Sequence, residues 1–146
     1  MQTTITIQKA DKKDFNAICQ LLAANNLPTT DLNPLLENFF IAVDENEITG
    51  VIGMDKYGDD GLLRSAVVKA PHRNTGIAAA LVNQLFDDAI QQGVTALYLI
   101  TNTAPAYFEK KGFKGINRED VPATVLQSKE FNGLCPESSV IMYRKL

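Results

Sequence analysis

The stretch of sequence that decides the fold is residues 62–101, LLRSAVVKAPHRNTGIAAALVNQLFDDAIQQGVTALYLIT. Its first part, Leu62 to Lys69, predicts a strand. Ile77 to Gln92 repeats apolar residues at spacings of three and four, which is the pattern of a helix. Val94 to Thr101 contains a continuous apolar run, typical of a strand buried on both faces. Because parallel strands need a crossover connection, this order predicts a β-α-β unit with two parallel strands.

Shorter elements are predicted on both sides of this unit. N-terminal to it we expect a strand at Thr4–Gln8, a helix that Asp11 caps and that ends near Asn26, a short helix at Asp31–Glu37, and a hairpin of Phe39–Val43 with Ile48–Asp55. C-terminal to it we expect helices at Ala104–Lys111 and Pro122–Phe131 and a strand at Ser139–Lys145. No repeat or linker interrupts the chain. The patterns predict one domain of the α/β (α+β) class over residues 1–146.

Composition excludes several classes of protein. The 146 residues carry 14 Lys plus Arg against 17 Asp plus Glu, a formal net charge of −3, with no basic stripe for nucleic acid. No apolar run approaches the roughly 20 residues that cross a bilayer, and the N-terminus lacks an export signal. We therefore expect a cytoplasmic protein with no nucleic-acid or membrane partner. Cys19 and Cys135 are expected to be reduced packing residues.

The loop before the long helix is the most informative segment for function. The first turn of a helix leaves about four amide N–H groups without partners and carries about half a positive charge, which suits a phosphate. Gly76 lets the backbone approach an anion closely, Ala78 keeps the next turn small, and Arg73 adds a positive charge. A pyrophosphate fits this description. The alternative is an ordinary strand-to-helix loop in which Gly76 only permits a tight turn.

These residues resemble the GNAT acetyltransferases, whose pyrophosphate loop reads Arg or Gln, x, x, Gly, x, Gly or Ala. The order of elements and the Lys111-Gly112-Phe113 motif extend the resemblance over most of the chain. Three further segments are similar to the branch of arsenic-resistance N-acetyltransferases: Leu62-Leu63-Arg64-Ser65, Leu97-Tyr98-Leu99-Ile100-Thr101 and Glu130-Phe131-Asn132-Gly133-Leu134-Cys135-Pro136.

The resemblance implies a mixed, mainly antiparallel sheet that splays between parallel strands 4 and 5, with acetyl-CoA as cosubstrate in the gap. The residues it places on acetyl-CoA are Ala66, Val67 and Val68 for the pantetheine arm, Arg73, Asn74, Thr75, Gly76, Ile77 and Ala78 for the pyrophosphate, and Asn102 and Phe108 on the opposite wall. No metal is expected, because His72 has no second His or nearby Cys to share one. Many members of the family form homodimers, so a homodimer is expected by resemblance alone.

Acetyl transfer to an amine requires a base, a polarised carbonyl and a leaving thiolate. Asp55 is the first candidate base and Glu37 the second, each with a solvated carboxylate as the alternative. A backbone amide near Val67 would hold the carbonyl oxygen. The family often has a Tyr acid where this chain has Phe108. Tyr107 is its neighbour, but one helical residue turns a side chain by about 100°, so core packing is the alternative role for Tyr107.

Arg64 is predicted in mid-strand, where a charge needs a partner or a cleft. It could bind the acidic group of an acceptor, with Tyr57 and Asp31 bordering the same pocket, or it could pair with a nearby Asp or Glu. The chain is thus expected to be an acetyl-CoA-dependent N-acetyltransferase of a small amine, with amino-acid-like or arsenic-related toxic compounds as the first acceptors to consider. The alternatives are a protein or peptide amine as acceptor, and a non-catalytic acyl-CoA-binding sensor.

Overall fold

The computed structural model describes residues 5–27, 29, 32, 34–69, 76–101, 104–127 and 139–146. The strands are β1 Thr6–Lys9, β2 Phe39–Asp44, β3 Glu47–Tyr57, β4 Asp60–Val68, β5 Ala96–Thr101, β6 Lys114–Gly115 and β7 Val140–Lys145. The helices are α1 Phe15–Ala24, α2 Ile77–Gln91, α3 Pro105–Lys110 and α4 Ala123–Leu126. Short 3-10 turns at Lys12–Asp14 and Arg118–Asp120 complete the described elements.

The strands form one seven-stranded mixed sheet in the order β1-β2-β3-β4-β5-β7-β6. Antiparallel pairing joins β1 to β2, β2 to β3, β5 to β7 and β6 to β7. In contrast, β4 pairs with β5 in parallel, with helix α2 between them in sequence. The predicted α/β (α+β) class, the hairpin and the β-α-β unit are therefore confirmed.

The chain divides into two compact units, the first comprising Met1–Met54 and Ser65–Asp88. In this unit α1 and α2 cover opposite faces of the strands. On one face, Ile18 and Leu22 of α1 join a buried cluster with Ile41 of β2. On the other, a Cβ at Gly50 would lie 3.1 Å from the Leu81 side chain of α2. Because side chains alternate along a strand, β2 and β3 present one face to α1 and the opposite face to α2.

The second unit comprises Asp55–Arg64 and Ala89–Leu146. Its core cluster is formed by the buried residues Leu62, Ala96, Tyr98, Val121 and Val125, drawn from β4, β5, the end of the second 3-10 turn and α4. The rings of Tyr98 and Tyr143 lie 5.3 Å apart, joining β5 to β7. This cluster takes up Ala96 and Tyr98 on one face of β5, and Leu97 and Leu99 on the other face are buried as well, so the strand is apolar on both faces.

The structure differs from the sequence prediction mainly in short elements. The described residues of the predicted helix at 31–37 form turns at positions 34–35 and 37–38. The reason is Leu36, which is fully buried with φ of +51°, a left-handed conformation that a right-handed helix cannot contain. The predicted helix at 122–131 extends only over Ala123–Leu126 in the described residues. The two-residue strand β6 has too few residues to produce a pattern.

We predict that Gly53→Ala destabilises the protein more than the same change at Gly115. Gly53 pairs directly with Phe39, and a Cβ there would overlap the Phe39 ring, which is held in the core. Overpacking of this kind costs about 1–3 kcal/mol. A Cβ at Gly115 would meet its nearest neighbour at 4.0 Å, an ordinary contact. Thermal unfolding of both variants measures the difference, and equal midpoints would show that the Phe39 ring can move aside.

Candidate functional site

Strand β4 carries a backbone irregularity at Ser65. Its φ is +59°, a left-handed value that costs a non-glycine residue about 1–3 kcal/mol and that clusters at functional sites. Burial also breaks its alternation here, since Leu62 to Ser65 are all buried and Ala66 is exposed. The parallel register pairs Asp60–Ala96, Gly61–Leu97 and Leu62–Tyr98, the first three residues of each strand. Sequence reasoning missed Ser65, because serine gives no signal for a positive φ.

The three residues after Ser65 are the predicted cosubstrate contacts Ala66, Val67 and Val68. Ala66 is exposed, Val67 is half-buried against the α1 cluster, and Val68 is buried. The strand is fastened just beyond them, where the Lys69 amide donates to the Thr49 carbonyl at 2.8 Å. These residues therefore present a backbone segment of defined conformation.

Helix α2 is preceded by a glycine in a left-handed conformation. Gly76 has φ of +87°, is exposed, and has no atom within 4 Å of an added Cβ. Ile77 is buried and Ala78 half-buried, and the helical ladder opens with the Ala80 amide donating to the Gly76 carbonyl at 3.0 Å. The amides of Ile77, Ala78 and Ala79, which precede this bond in the first turn of α2, have no acceptor within the helix. The predicted residues Arg73, Asn74, Thr75, Asn102 and Asp31 lie outside the described residues.

The structure brings together Asp55 of β3 and Arg64 of β4. The Arg64 Nη1 donates to Asp55 Oδ2 at 3.0 Å, with side-chain exposures of 1% for the arginine and 31% for the aspartate. Of the two alternatives for Arg64, pairing with a nearby acid is the arrangement observed. The Arg64 guanidinium therefore already occupies Oδ2 of the Asp55 carboxylate. Tyr57 lies two residues along β3 against the core of the second unit, and Glu37 is exposed in a turn before β2.

Helix α3 carries the adjacent residues Tyr107 and Phe108. Phe108 is buried and its ring meets that of Phe113 edge-on at 5.7 Å. The Tyr107 hydroxyl is buried and makes no hydrogen bond to any described residue. Burial raises the pKa of this hydroxyl, so it remains protonated at neutral pH. The side chain is thus a neutral hydroxyl with a free donor, beside the Lys111 ammonium, which lies 5.7 Å from the ring centroid.

The remaining predictions concern the two cysteines, a metal site and a membrane span. Cys19 is half-buried against the α1 cluster, and burial raises the pKa of its thiol. Cys135 lies outside the described residues. Within the described ranges, no three His, Cys, Asp or Glu side chains are grouped to hold a metal ion. Among those same ranges, no helix combines the length and apolar character needed to span a bilayer.

Comparison with known proteins identifies one family. Residues 36–115, more than half of the chain, match the model of the acetyltransferase (GNAT) domain. This range contains strands β2 to β6 and helices α2 and α3. A search of curated proteins gives no match.

Solved structures share the fold at low sequence identity. N-acetylglutamate synthase from Neisseria gonorrhoeae, complexed with coenzyme A and N-acetyl-glutamate, matches with a TM-score of 0.83 and 19% identity over 100% of this chain and 36% of its own. A GNAT acetyltransferase from Staphylococcus aureus matches with a TM-score of 0.80 and 19% identity over 98% and 99%. The ribosomal-protein-S18-alanine N-acetyltransferase from Escherichia coli matches with a TM-score of 0.68 and 19% identity over 97% and 94%. The chain thus spans about a third of the synthase.

Proposed function

Since the chain belongs to the GNAT acetyltransferase family, as the match over residues 36–115 shows, we propose that it transfers an acetyl group from acetyl-CoA to the amine of a small molecule. The observation that carries this proposal is the backbone of one compact unit. In it, the end of β4 from the irregular Ser65 onward is followed in the chain by helix α2, which is preceded by Gly76 in a left-handed conformation. The N-acetylglutamate synthase from N. gonorrhoeae and the GNAT acetyltransferase from S. aureus share this fold and support the proposal.

Two segments of the first unit would hold acetyl-CoA. Backbone groups of Ala66, Val67 and Val68 would bond the pantetheine amides as an added strand does, which needs main-chain donors and acceptors. The segment Arg73, Asn74, Thr75, Gly76, Ile77 and Ala78 would bind the pyrophosphate through the amides of the first turn of α2. Asn102 and Phe108 are proposed for the other side of the cosubstrate.

The transfer itself requires three groups from the protein. The neutral amine nitrogen attacks the thioester carbonyl carbon, the C–S bond breaks, and CoA leaves as a thiolate. A backbone amide at Val67 would stabilise the developing oxyanion. The amine proton passes to a base, for which Asp55 is the first candidate and Glu37 the second. The thiolate takes a proton from Tyr107 or water.

The acceptor is proposed to be a small, amino-acid-like amine, and arsenic-related compounds belong to the first screen. Tyr57 and Asp31 are proposed to border its pocket beside Arg64. Because Arg64 already donates to Asp55, any acidic group of the acceptor would have to share this guanidinium with the carboxylate. Arginine has five donors, so such sharing is chemically feasible. A protein amine is the alternative acceptor, since the E. coli neighbour of the same fold acetylates an alanine of a ribosomal protein.

The experiment that tests the function is thermal unfolding with and without acetyl-CoA, followed by an assay of CoA release. A ligand at about 100 times its Kd adds roughly 2.7 kcal/mol of stability, which shifts the unfolding midpoint by several degrees. A shift together with CoA release from a panel of small amines supports the proposal. A shift with no release from small or peptide amines would identify a sensor, and no shift at millimolar acetyl-CoA would remove the proposal altogether.

We predict that Tyr107→Phe lowers kcat about tenfold and leaves acetyl-CoA binding unchanged. A well-matched general acid contributes about 100-fold or more. We expect a smaller contribution to kcat from Tyr107, because burial raises its pKa and makes it a weak acid. The CoA thiol that it would form is the stronger acid, with a pKa of about 8.5. Stability should change by less than about 1 kcal/mol, since the lost hydroxyl has no hydrogen bond in the described structure. Steady-state kinetics with saturating acceptor measure the effect.

Tyr143→Phe is the matched control for this prediction, because Tyr143 is another half-buried tyrosine and has no proposed role in transfer. It should leave kcat unchanged. If Tyr107→Phe also keeps the full kcat, Tyr107 is a packing residue and a water molecule protonates the thiolate.

A further inference from the structure

A cavity of about 840 Å³ lies within the first unit, and none of the residues assigned above to acetyl transfer lines it. Helix α1 and the turn before it form one wall, and the β2–β3 hairpin with Lys69 forms the other. Cavities that bind small molecules have volumes of about 300–1,000 Å³, and they combine an apolar surface with a few polar groups. The size of this cavity lies in that range.

The floor of the cavity is aliphatic. Leu21 of α1 and Ile41 of β2 line it and belong to the buried core cluster, and Val43 and Ile48 pack against the same cluster. Ala17 of α1 also lines the cavity, and its small side chain leaves room above this floor. An aliphatic group of a ligand would therefore lie against the half-buried Val43 and Ile48, which the buried Leu21 and Ile41 support from beneath.

The rim carries two charges of each sign, and each wall contributes one of each. The α1 wall supplies Lys13 and Asp14, and the opposite wall supplies Glu47 and Lys69. The Lys69 ammonium donates to Glu47 Oε1 at 2.8 Å, which uses one of its three donors. Asp14 Oδ2 accepts from the Asp11 amide at 3.1 Å, and its second oxygen can accept from a ligand.

The formal charge of this lining is zero, since Lys13 and Lys69 balance Asp14 and Glu47. A ligand with one charge would meet a like charge on each wall. A ligand with both an ammonium and a carboxylate can instead pair with one group of each sign.

We infer that this cavity is a second binding site, for a small zwitterion with an aliphatic side chain, of the α-amino acid class. The ammonium is bound by the carboxylates of the rim, the carboxylate by its lysines, and the side chain by the aliphatic floor. The site requires neither acetyl-CoA nor the residues proposed for transfer.

L-leucine is the probe for this site, compared with two compounds that share its aliphatic body but carry one charge each, 4-methylpentanoate and 3-methylbutylamine. Backbone amide shifts in a ¹⁵N-labelled sample report the location, with saturable changes expected at Lys13, Leu21, Val43 and Glu47 and none at Asp55 or Tyr107. Loss of one charge-assisted interaction of about 1.4 kcal/mol corresponds to about tenfold in Kd. Each single-charge compound should therefore bind about tenfold more weakly than leucine.

Two alanines of α1 provide a matched pair of variants. Ala17→Phe places a ring in the cavity, over its floor, whereas Ala23→Phe places the same ring on an exposed position of the same helix that does not line the cavity. Leucine binding should be lost in Ala17→Phe and kept in Ala23→Phe, with both variants folded. Absence of saturable shifts, shifts confined to other residues, or equal affinity in the two variants would overturn the inference. So would 4-methylpentanoate or 3-methylbutylamine binding as tightly as leucine.

Discussion

Gly76→Glu should abolish acetyl-CoA binding, with a loss of at least about 100-fold in affinity. The added carboxylate would stand at the first turn of α2, where the proposed pyrophosphate meets the helix amides. Two hydrogen bonds to a charged group, at about 1.5–3 kcal/mol each, would be lost. A factor of 100 corresponds to about 2.7 kcal/mol, so the loss of both bonds suffices. Calorimetric titration with acetyl-CoA measures the effect.

Gly93→Glu is the matched control for this substitution, because it separates charge from backbone strain. Gly93 follows the other end of α2, has φ of +81°, and like Gly76 has no atom within 4 Å of an added Cβ. Both variants should lose about 1–2 kcal/mol of stability from the left-handed conformation. Only Gly76→Glu should lose acetyl-CoA. Equal affinity in the two variants would show that the loop is a turn without a binding role.

Arg64→Ala should lower the free energy of unfolding by about 3 kcal/mol, near the lower end of the range for removing one partner of a buried ion pair. Arg64 is almost completely buried, so its removal leaves a cavity along the aliphatic stem and takes the guanidinium away from Asp55. The loss is limited because Asp55 is 31% exposed and can regain water. Urea unfolding of both proteins measures the difference.

A double-mutant cycle with Asp55→Ala isolates the ion pair from the packing of the arginine stem. A favourable coupling energy, together with an acceptor KM close to the original in a variant that folds, would assign Arg64 a structural role. The opposite result is an unchanged free energy of unfolding with a raised acceptor KM. It would show that Arg64 serves the acceptor and that the contact with Asp55 contributes little.

The pattern of apolar residues was sufficient to predict the β2–β3 hairpin and the β-α-β unit of β4, α2 and β5. Each has a strong local signal, with alternation or continuous burial in the strands and a spacing of three and four in the helix. The position of Gly76 at the start of α2 was predictable for the same reason. Its neighbours Arg73 to Thr75 lie outside the described residues, so their part in the loop stays a prediction.

Other features had no local signal. Leu36 adopts a left-handed conformation because its side chain is fully buried in the α1 cluster, and this replaces the helix expected at 31–37 with turns. Ser65 likewise has a positive φ, for which serine gives no local signal. The sequence did not specify which acid pairs with Arg64. The structure shows that Asp55 of β3 is a partner, at 3.0 Å.

The order of helices and strands, the parallel connection and the position of Gly76 before α2 follow from residues close together in the chain, because periodicity and turn chemistry act over a few residues. The pairing of Arg64, the buried hydroxyl of Tyr107 and the cavity beside α1 depend on residues that are distant in the chain. Burial in the folded protein sets the cost of an unpaired charge or a strained backbone, so packing decided these features.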